Sequence, residues 1–147
     1  MACESCRKAG LPAKLVKQLQ QKLQEIEPIY AGTTTSFVIT PQGNILVSSN
    51  HAETISVEEL PKIMVSLKRS AALTLGEALP SREKQCNAIH IKGVTQLWSC
   101  YDVGENLLVF YTKMDKHMSQ RTMMDFSASD SRMADLCEEL RQLLSAA

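Results

Sequence analysis

Between Ser56 and Leu79 the chain reads SVEELPKIMVSLKRSAALTLGEAL, the longest strongly periodic segment in its 147 residues. Leu60, Ile63, Met64, Leu67, Ala71, Leu75 and Ala78 fall on one face of a helical wheel. Val65, Ala72 and Leu79 widen the apolar arc beyond that face. A helix resting on its own sheet needs only about 100° of apolar stripe. The surplus leaves two readings open. The helix is touched on several sides by its own chain, or it packs on its own sheet and also on a second subunit. Nothing in the segment is catalytic. Taken as about 21 residues, it is roughly 32 Å long, enough to cross a five-stranded sheet.

The remaining elements arrange themselves around this helix. Residues 1–10 are small and polar and read as a mobile tail, with a single domain over 11–147. Leu11–Ile26 carries a narrow stripe of Leu15, Val16, Leu19, Leu23 and Ile26, with Pro12 in the first turn and Pro28 as the stop. Thr33–Thr40 and Asn44–Ser49 flank Pro41-Gln42-Gly43-Asn44 and read as an antiparallel hairpin. No charge occurs from Pro28 to Ala52, which points to central or covered strands whose Thr and Ser side chains satisfy each other. Ser56 and Glu59 form a capping box, although Pro61 moves the effective helix start toward Glu58. Asn87–Val94, Gln96–Tyr101 and Asn106–Met114 form a three-stranded meander, with turns at Gly93 and at Asp102–Glu105. In its first strand Ala88, His90 and Lys92 alternate with Ile89 and Ile91, predicting one wet and one buried face. Asp115–Ala128 is a long polar, Met-bearing connection. A last helix over Asp130–Leu144 is capped by Ser129 or Asp130.

Composition narrows the function classes. Sixteen basic and sixteen acidic residues give zero net charge, which argues against nucleic acid or anionic lipid as the main ligand and permits self-association. Cysteines 3, 6, 86, 100 and 137 are odd in number, and neither a secretory leader nor a glycosylation sequon accompanies them, so a reducing cytosol is expected. The uncharged stretch is too polar and too broken to span a bilayer, so no transmembrane segment is expected. Cys3 and Cys6 lack the second ligand pair a zinc site needs and read as free tail thiols, with S-acylation the alternative. Neither a phosphate-binding glycine loop nor a nucleophile–base spacing is present, so no cofactor, metal or catalytic site is expected and the chain is not itself a GTPase. Cys100, Cys137 and Trp98 read as core residues, and His90 as a surface or interface residue.

The order helix, strand, strand, long helix, three strands, helix gives an α+β fold with a five-stranded antiparallel sheet. In that order the chain resembles the roadblock/dynein light-chain family, a relative of longin and profilin-like folds, over roughly residues 11–145. SFVITPQGNILVSS looks like the family's opening hairpin, the Ser56–Leu79 segment like its central helix, and IHIKGVTQLWSCYDVGENLLVFYT like its closing meander. The leading helix favours roadblock over a longin-type trafficking domain, which begins with strands. The long Asp115–Ala128 connection departs from the family pattern.

The resemblance implies a non-enzymatic dimeric scaffold or regulatory subunit, pairing with itself or a paralogous subunit. The long helices would pack together and the strands after them would pair edge to edge. Expected interface residues are Val65, Lys68, Ala72, Leu79, Ile89, Ile91 and Lys92. The joined sheet would hold or regulate a small Ras-like GTPase, or join a motor or lysosomal scaffold, in the cytoplasm or at the periphery of a membrane complex. The alternative is a profilin-like small-molecule sensor, for which Thr33–Thr35, Tyr101 and Cys100 are the candidate pocket residues.

Overall fold

The structure is a computed structural model that describes residues 11–30, 34–49, 60–78, 87–94, 96–113 and 127–146. Helix α1 (Ala13–Gln24) is followed by a short α2 (Ile26–Tyr30), and strands β1 (Thr34–Ile39) and β2 (Ile45–Ser48) form the hairpin. Helix α3 (Leu60–Leu73) ends in a π-helical turn (Thr74–Ala78). Strands β3 (Ala88–Lys92), β4 (Gln96–Val103) and β5 (Asn106–Lys113) follow, and α4 (Ser127–Ser145) closes the chain. The five strands lie in the order β2-β1-β5-β4-β3, and every neighbouring pair is antiparallel. The fold class is therefore the α+β arrangement expected.

The sheet is covered on both faces, and alternation along the strands decides which side chain goes where. Val38, Leu108, Phe110, Leu97, Tyr101 and Val103 face one layer, made by Leu15, Val16, Leu19, Leu23 and Ile26 of the leading helices and by Met133, Leu136, Cys137 and Leu140 of α4. Phe37, Ile39, Cys100, Leu107 and Val109 face the other layer, where Met64 of α3 packs on them with Leu60 and Val65. Lys22 Nζ lies 2.8 Å from Glu139 Oε2 and ties α1 to α4. β1 is central and wholly buried, as its uncharged sequence predicts, whereas β2 is an edge. Gly43 sits at φ +85°, the left-handed backbone the hairpin turn requires, and Gly43 N donates to Thr40 O at 2.9 Å.

Several expectations are corrected. Pro28 does not stop the helical run. The chain bends at Glu25 and restarts, and Pro28 becomes the third residue of α2, where a first-turn position has no intrahelical use for the missing N–H. The pairing of Thr and Ser across the hairpin is incomplete. Ser36 N donates to Ser49 Oγ at 3.0 Å, but Ser36 Oγ is buried without a hydrogen-bond partner among the described residues, as is Thr112 Oγ1 on β5. β4 runs on through Asp102 and Val103, so its turn with β5 shrinks to Gly104-Glu105, with Gly104 at φ +63°. Helix α4 begins at Ser127, which puts Ser129 and Asp130 inside the helix rather than at its cap. The capping box at Ser56 and Glu59, Cys3, Cys6 and Cys86, and most of the Met-bearing connection lie outside the described residues.

The largest correction concerns the face α3 turns to the sheet. Pro61, Met64 and Lys68 are its buried residues, with Val65 beside them, while Ile63 and Leu67 point away. At about 100° per residue the helix is turned by roughly 75° from the face the wheel predicts. The cause is Lys68. Its stem lies along the apolar layer and its ammonium reaches Asp102 Oδ1 at 2.8 Å, so a cation occupies the middle of the buried stripe.

Candidate interaction surface

The exposed apolar side chains are distributed unevenly. Among the described residues the large ones are Ile63 (52% exposed), Leu67 (38%), Leu73 (55%), Ile91 (40%) and Val94 (84%), and every one belongs to α3, to β3 or to the turn after β3. Ile63 and Leu67 are one helical turn apart on the flank of α3, about 60–100° round the helix from Met64, and Leu73 lies toward the same helix's C-terminal end. β3 ends the strand order on the side toward which α3 runs. The layer made by α1 and α4 has no such patch among the described residues, because its stripes are spent on the sheet.

The expected interface residues distribute as follows. Ile91 and Lys92 are exposed on β3, and Ile89 and Ala72 are half-buried. Val65 lies on the sheet side of α3, Lys68 is buried in its ion pair with Asp102, and Leu79 lies outside the described residues. Ile63, Leu67 and Leu73 were missed as a separate exposed stripe because the sequence assigns the first two to the same face as Met64. Ile91, expected on a buried face, is exposed because α3 covers the rows of Ile89 and Phe37 but not its own.

The structure also gathers residues that the sequence keeps apart. His90 Nδ1 and Ser99 Oγ are 2.8 Å apart, His90 Nε2 lies 3.3 Å from Asp130 Oδ1, and Tyr101 OH donates to the same carboxylate oxygen at 2.5 Å. His90 is thus not on a wet face; it is half-buried against α4. A Ser–His–Asp row invites a nucleophilic reading. The geometry argues for a different use, since Ser99 is completely buried and its hydroxyl cannot meet a substrate. The cluster fastens the start of α4 to β3 and β4. No spacing rule finds it, because the register His90↔Ser99 and the packing of α4 bring it together.

Beside this cluster a groove of about 590 Å³ runs between α4 and the ends of β3 and β4, lined by Ala88, Tyr101, Asp130, Ala134, Glu138 and Arg141 among others. Its carboxylates already have partners within the chain. Asp102 takes Lys68, Asp130 takes Tyr101 and His90, and Glu138 takes Arg141, whose guanidinium holds the Glu138 carboxyl below its usual range. Burial, with help from Asp102, pushes the Cys137 thiol beside the groove up to about 12, so it is a packed core thiol rather than a reactive one. The residues suggested for a sensor pocket are divided between the two faces of the sheet: Cys100 and Thr35 face the α3 side, Tyr101 and Thr34 face the opposite layer, and Thr33 lies outside the described residues. Trp98 is half-buried rather than core, and its ring lies 4.9 Å from that of Tyr111 at the margin of the α3 layer. No described helix is long and apolar enough to cross a membrane, and no metal-binding cluster occurs among the described residues.

No protein-family model matches the sequence, and no curated protein matches it. Solved structures do. The gliding protein MglB of Thermus thermophilus superposes with a TM-score of 0.69 at 14% identity, over 93% of this chain and 96% of that one. Myxococcus xanthus MglB gives 0.66 at 12% identity over 92% and 94%. An MglB described with a tetrameric arrangement gives 0.67 at 14% identity over 90% and 92%. At these identities the likeness is one of fold, and it extends over nearly the whole of both chains. The sheet order, with α3 on one face and the helical layer on the other, identifies this chain as a protein of roadblock-like fold.

Proposed function

We propose that this chain is a non-enzymatic scaffold or regulatory subunit that works as a pair, joined through α3 and β3. One observation carries the reading: all the large exposed apolar side chains of the described residues lie on those two elements or on the turn that follows β3. A polar-rimmed apolar patch confined to one helix and the neighbouring sheet edge is what a partner surface requires and what a monomer avoids. The zero net charge raises no barrier to a second copy. Pairing with a paralogous subunit uses the same surface. Lys92 and the half-buried Ile89 and Ala72 belong to its rim, with Val65 behind it.

The pair's task is to hold or regulate a small Ras-like GTPase, or to dock into a larger scaffold. The fold shared with MglB and the roadblock resemblance support this reading. The separation of Cys100 from Tyr101 and Thr34 on opposite faces of the sheet favours it over a ligand-binding module. The test is Leu67→Glu, analysed by sedimentation velocity beside the wild type. Loss of the faster-sedimenting species with an unchanged circular dichroism spectrum is expected. A variant that sediments as the wild type at every concentration overturns this surface.

A further inference from the structure

The face that α3 turns to the sheet is not its most apolar one. Placed around the helix at about 100° per residue, its side chains form two arcs that share Met64. One arc runs from Met64 through Lys68 and Pro61 to Val65, with Ala72 beside it. The other runs from Met64 through Leu60 and Leu67 to Ile63, with Ala71 beside it. The second arc holds the larger aliphatic side chains and no charge. The first is nevertheless the buried one, lysine included, while Ile63 and Leu67 are exposed.

Register sorts the sheet face beneath α3 into three rows. Ile39, Leu107 and Asp102 form the first, Phe37, Val109, Cys100 and Ile89 the second, and Thr35, Tyr111, Trp98 and Ile91 the third. Pro61 and Ile39 line one apolar seam, and Lys68 Nζ lies 2.8 Å from Asp102 Oδ1, so the first arc leans over the first row. The flank with Ile63 and Leu67 therefore leans toward the third row. That row is buried at Thr35 and incompletely covered toward β3, where Tyr111 and Trp98 are half-buried and Ile91 is exposed. The sheet thus has apolar surface for either arc. Met64, unbranched and common to both, adapts to either.

We infer that α3 has two seats on its sheet, and that the Lys68–Asp102 ion pair holds it in the seat that leaves Ile63 and Leu67 open. Burying an ammonium is unfavourable unless an anion meets it. With the Asp102 carboxylate in place the first arc is favoured. Without it, a roll of about 75° about Met64 returns Lys68 to water, carries Ile63 and Leu67 onto the third row and lifts Val65 off the sheet. The Asp102 side chain is 41% exposed and also lines the groove beside α4, whereas that of Lys68 is 9% exposed. Asp102 is therefore the member of the pair that solvent reaches. The roll stands on the ion pair and the two arcs. Its consequence, that closing the stripe switches off partner binding, rests on the surface proposed above.

The two seats differ in which of positions 63 and 65 is exposed, so the test reads both. Lys62 and Lys68 bracket a tryptic peptide, residues 63–68, that holds no native cysteine. Ile63→Cys and Val65→Cys are made singly in the full chain, with and without Asp102→Asn, and maleimide labelling is timed by the mass of that peptide. In the Asp102→Asn chain, labelling should slow at position 63 and quicken at position 65, each at least about tenfold. Protection of position 63 should not depend on protein concentration, which separates it from shielding by a partner. Lys68→Met/Asp102→Asn has no ammonium to expel and should label as the chain with native Lys68 and Asp102 does. Quickening at both positions, which is what a merely loosened helix gives, or no change at either overturns the two seats. So does an Asp102→Asn chain that unfolds, because a helix with a second seat takes it instead; Asp102→Ser repeats the reading with a smaller side chain. A roll in a chain whose wild-type mass never doubles overturns the partner surface and leaves the two seats standing.

Discussion

Ile63 and Met64 are consecutive residues whose substitution should differ several-fold in cost. Met64 is 2% exposed among Phe37, Ile39, Cys100, Leu107 and Val109, and Ile63 is 52% exposed. Met64→Ala removes buried thioether and methylene groups and leaves a cavity, a loss of about 3 kcal/mol. For a chain of this size that lowers Tm by roughly 9 °C at about 3 °C per kcal/mol. Ile63→Ala gives up about half the burial value of an isoleucine, roughly 1 kcal/mol, and regains about 0.4 kcal/mol of helix propensity. The net change is about 0.5 kcal/mol, or less than roughly 2 °C. The assay is thermal unfolding by circular dichroism at the lowest workable concentration, where mass action minimises any contribution from a partner. Equal losses, or a larger loss at Ile63, would refute the rotation of α3 and with it the exposed stripe.

Other consequences follow from single contacts. Lys68→Met keeps the apolar stem and should stay within about 1 kcal/mol of the wild type, whereas Asp102→Asn leaves the ammonium beside a neutral amide and should destabilise by about 1–3 kcal/mol in urea titrations. Gly43→Ala forces a side chain onto a backbone at φ +85° and places its Cβ 3.0 Å from Lys62 Cγ, for which a loss of about 1–2 kcal/mol is expected by the same titration. Cys137 should resist alkylation in the folded chain at pH 8 and react on unfolding, read by mass spectrometry. Because its pKa is raised in the folded state, the stability it confers is complete below the ordinary thiol range and falls as pH climbs through that range toward about 12. A thiol that alkylates at the same rate in the folded and the unfolded chain would contradict its burial.

The parts of the fold legible in the sequence are those fixed by local chemistry. Pro41–Asn44 between two uncharged β-branched runs is a turn between paired strands, and it is found as such. The stripe from Leu15 to Ile26 buries the residues it should. What could not be read is what tertiary packing decides. Lys68 in the middle of the α3 stripe makes the buried face look polar, because the carboxylate that accepts it lies 34 positions away at Asp102. The exposed stripe was hidden for the same reason, since Ile63 and Leu67 then appear to be core. The His90, Ser99, Tyr101 and Asp130 cluster spans two strands and a helix, so only register and helix docking bring it together. Pro28 shows that a residue that ends one helix in general terms also suits the first turn of the next.

The central claim is that α3 and β3 form a surface for a second copy of the chain. The most direct measurement is the solution mass by light scattering on a sizing column at several concentrations, for the wild type and for Ile63→Glu/Leu67→Glu. The account predicts a wild-type mass near 33 kDa, twice the 16.3 kDa of one chain, and a double variant near the single-chain mass with its fold retained. A wild type that stays at the single-chain mass at every concentration, or a double variant that pairs as readily as the wild type, would contradict it.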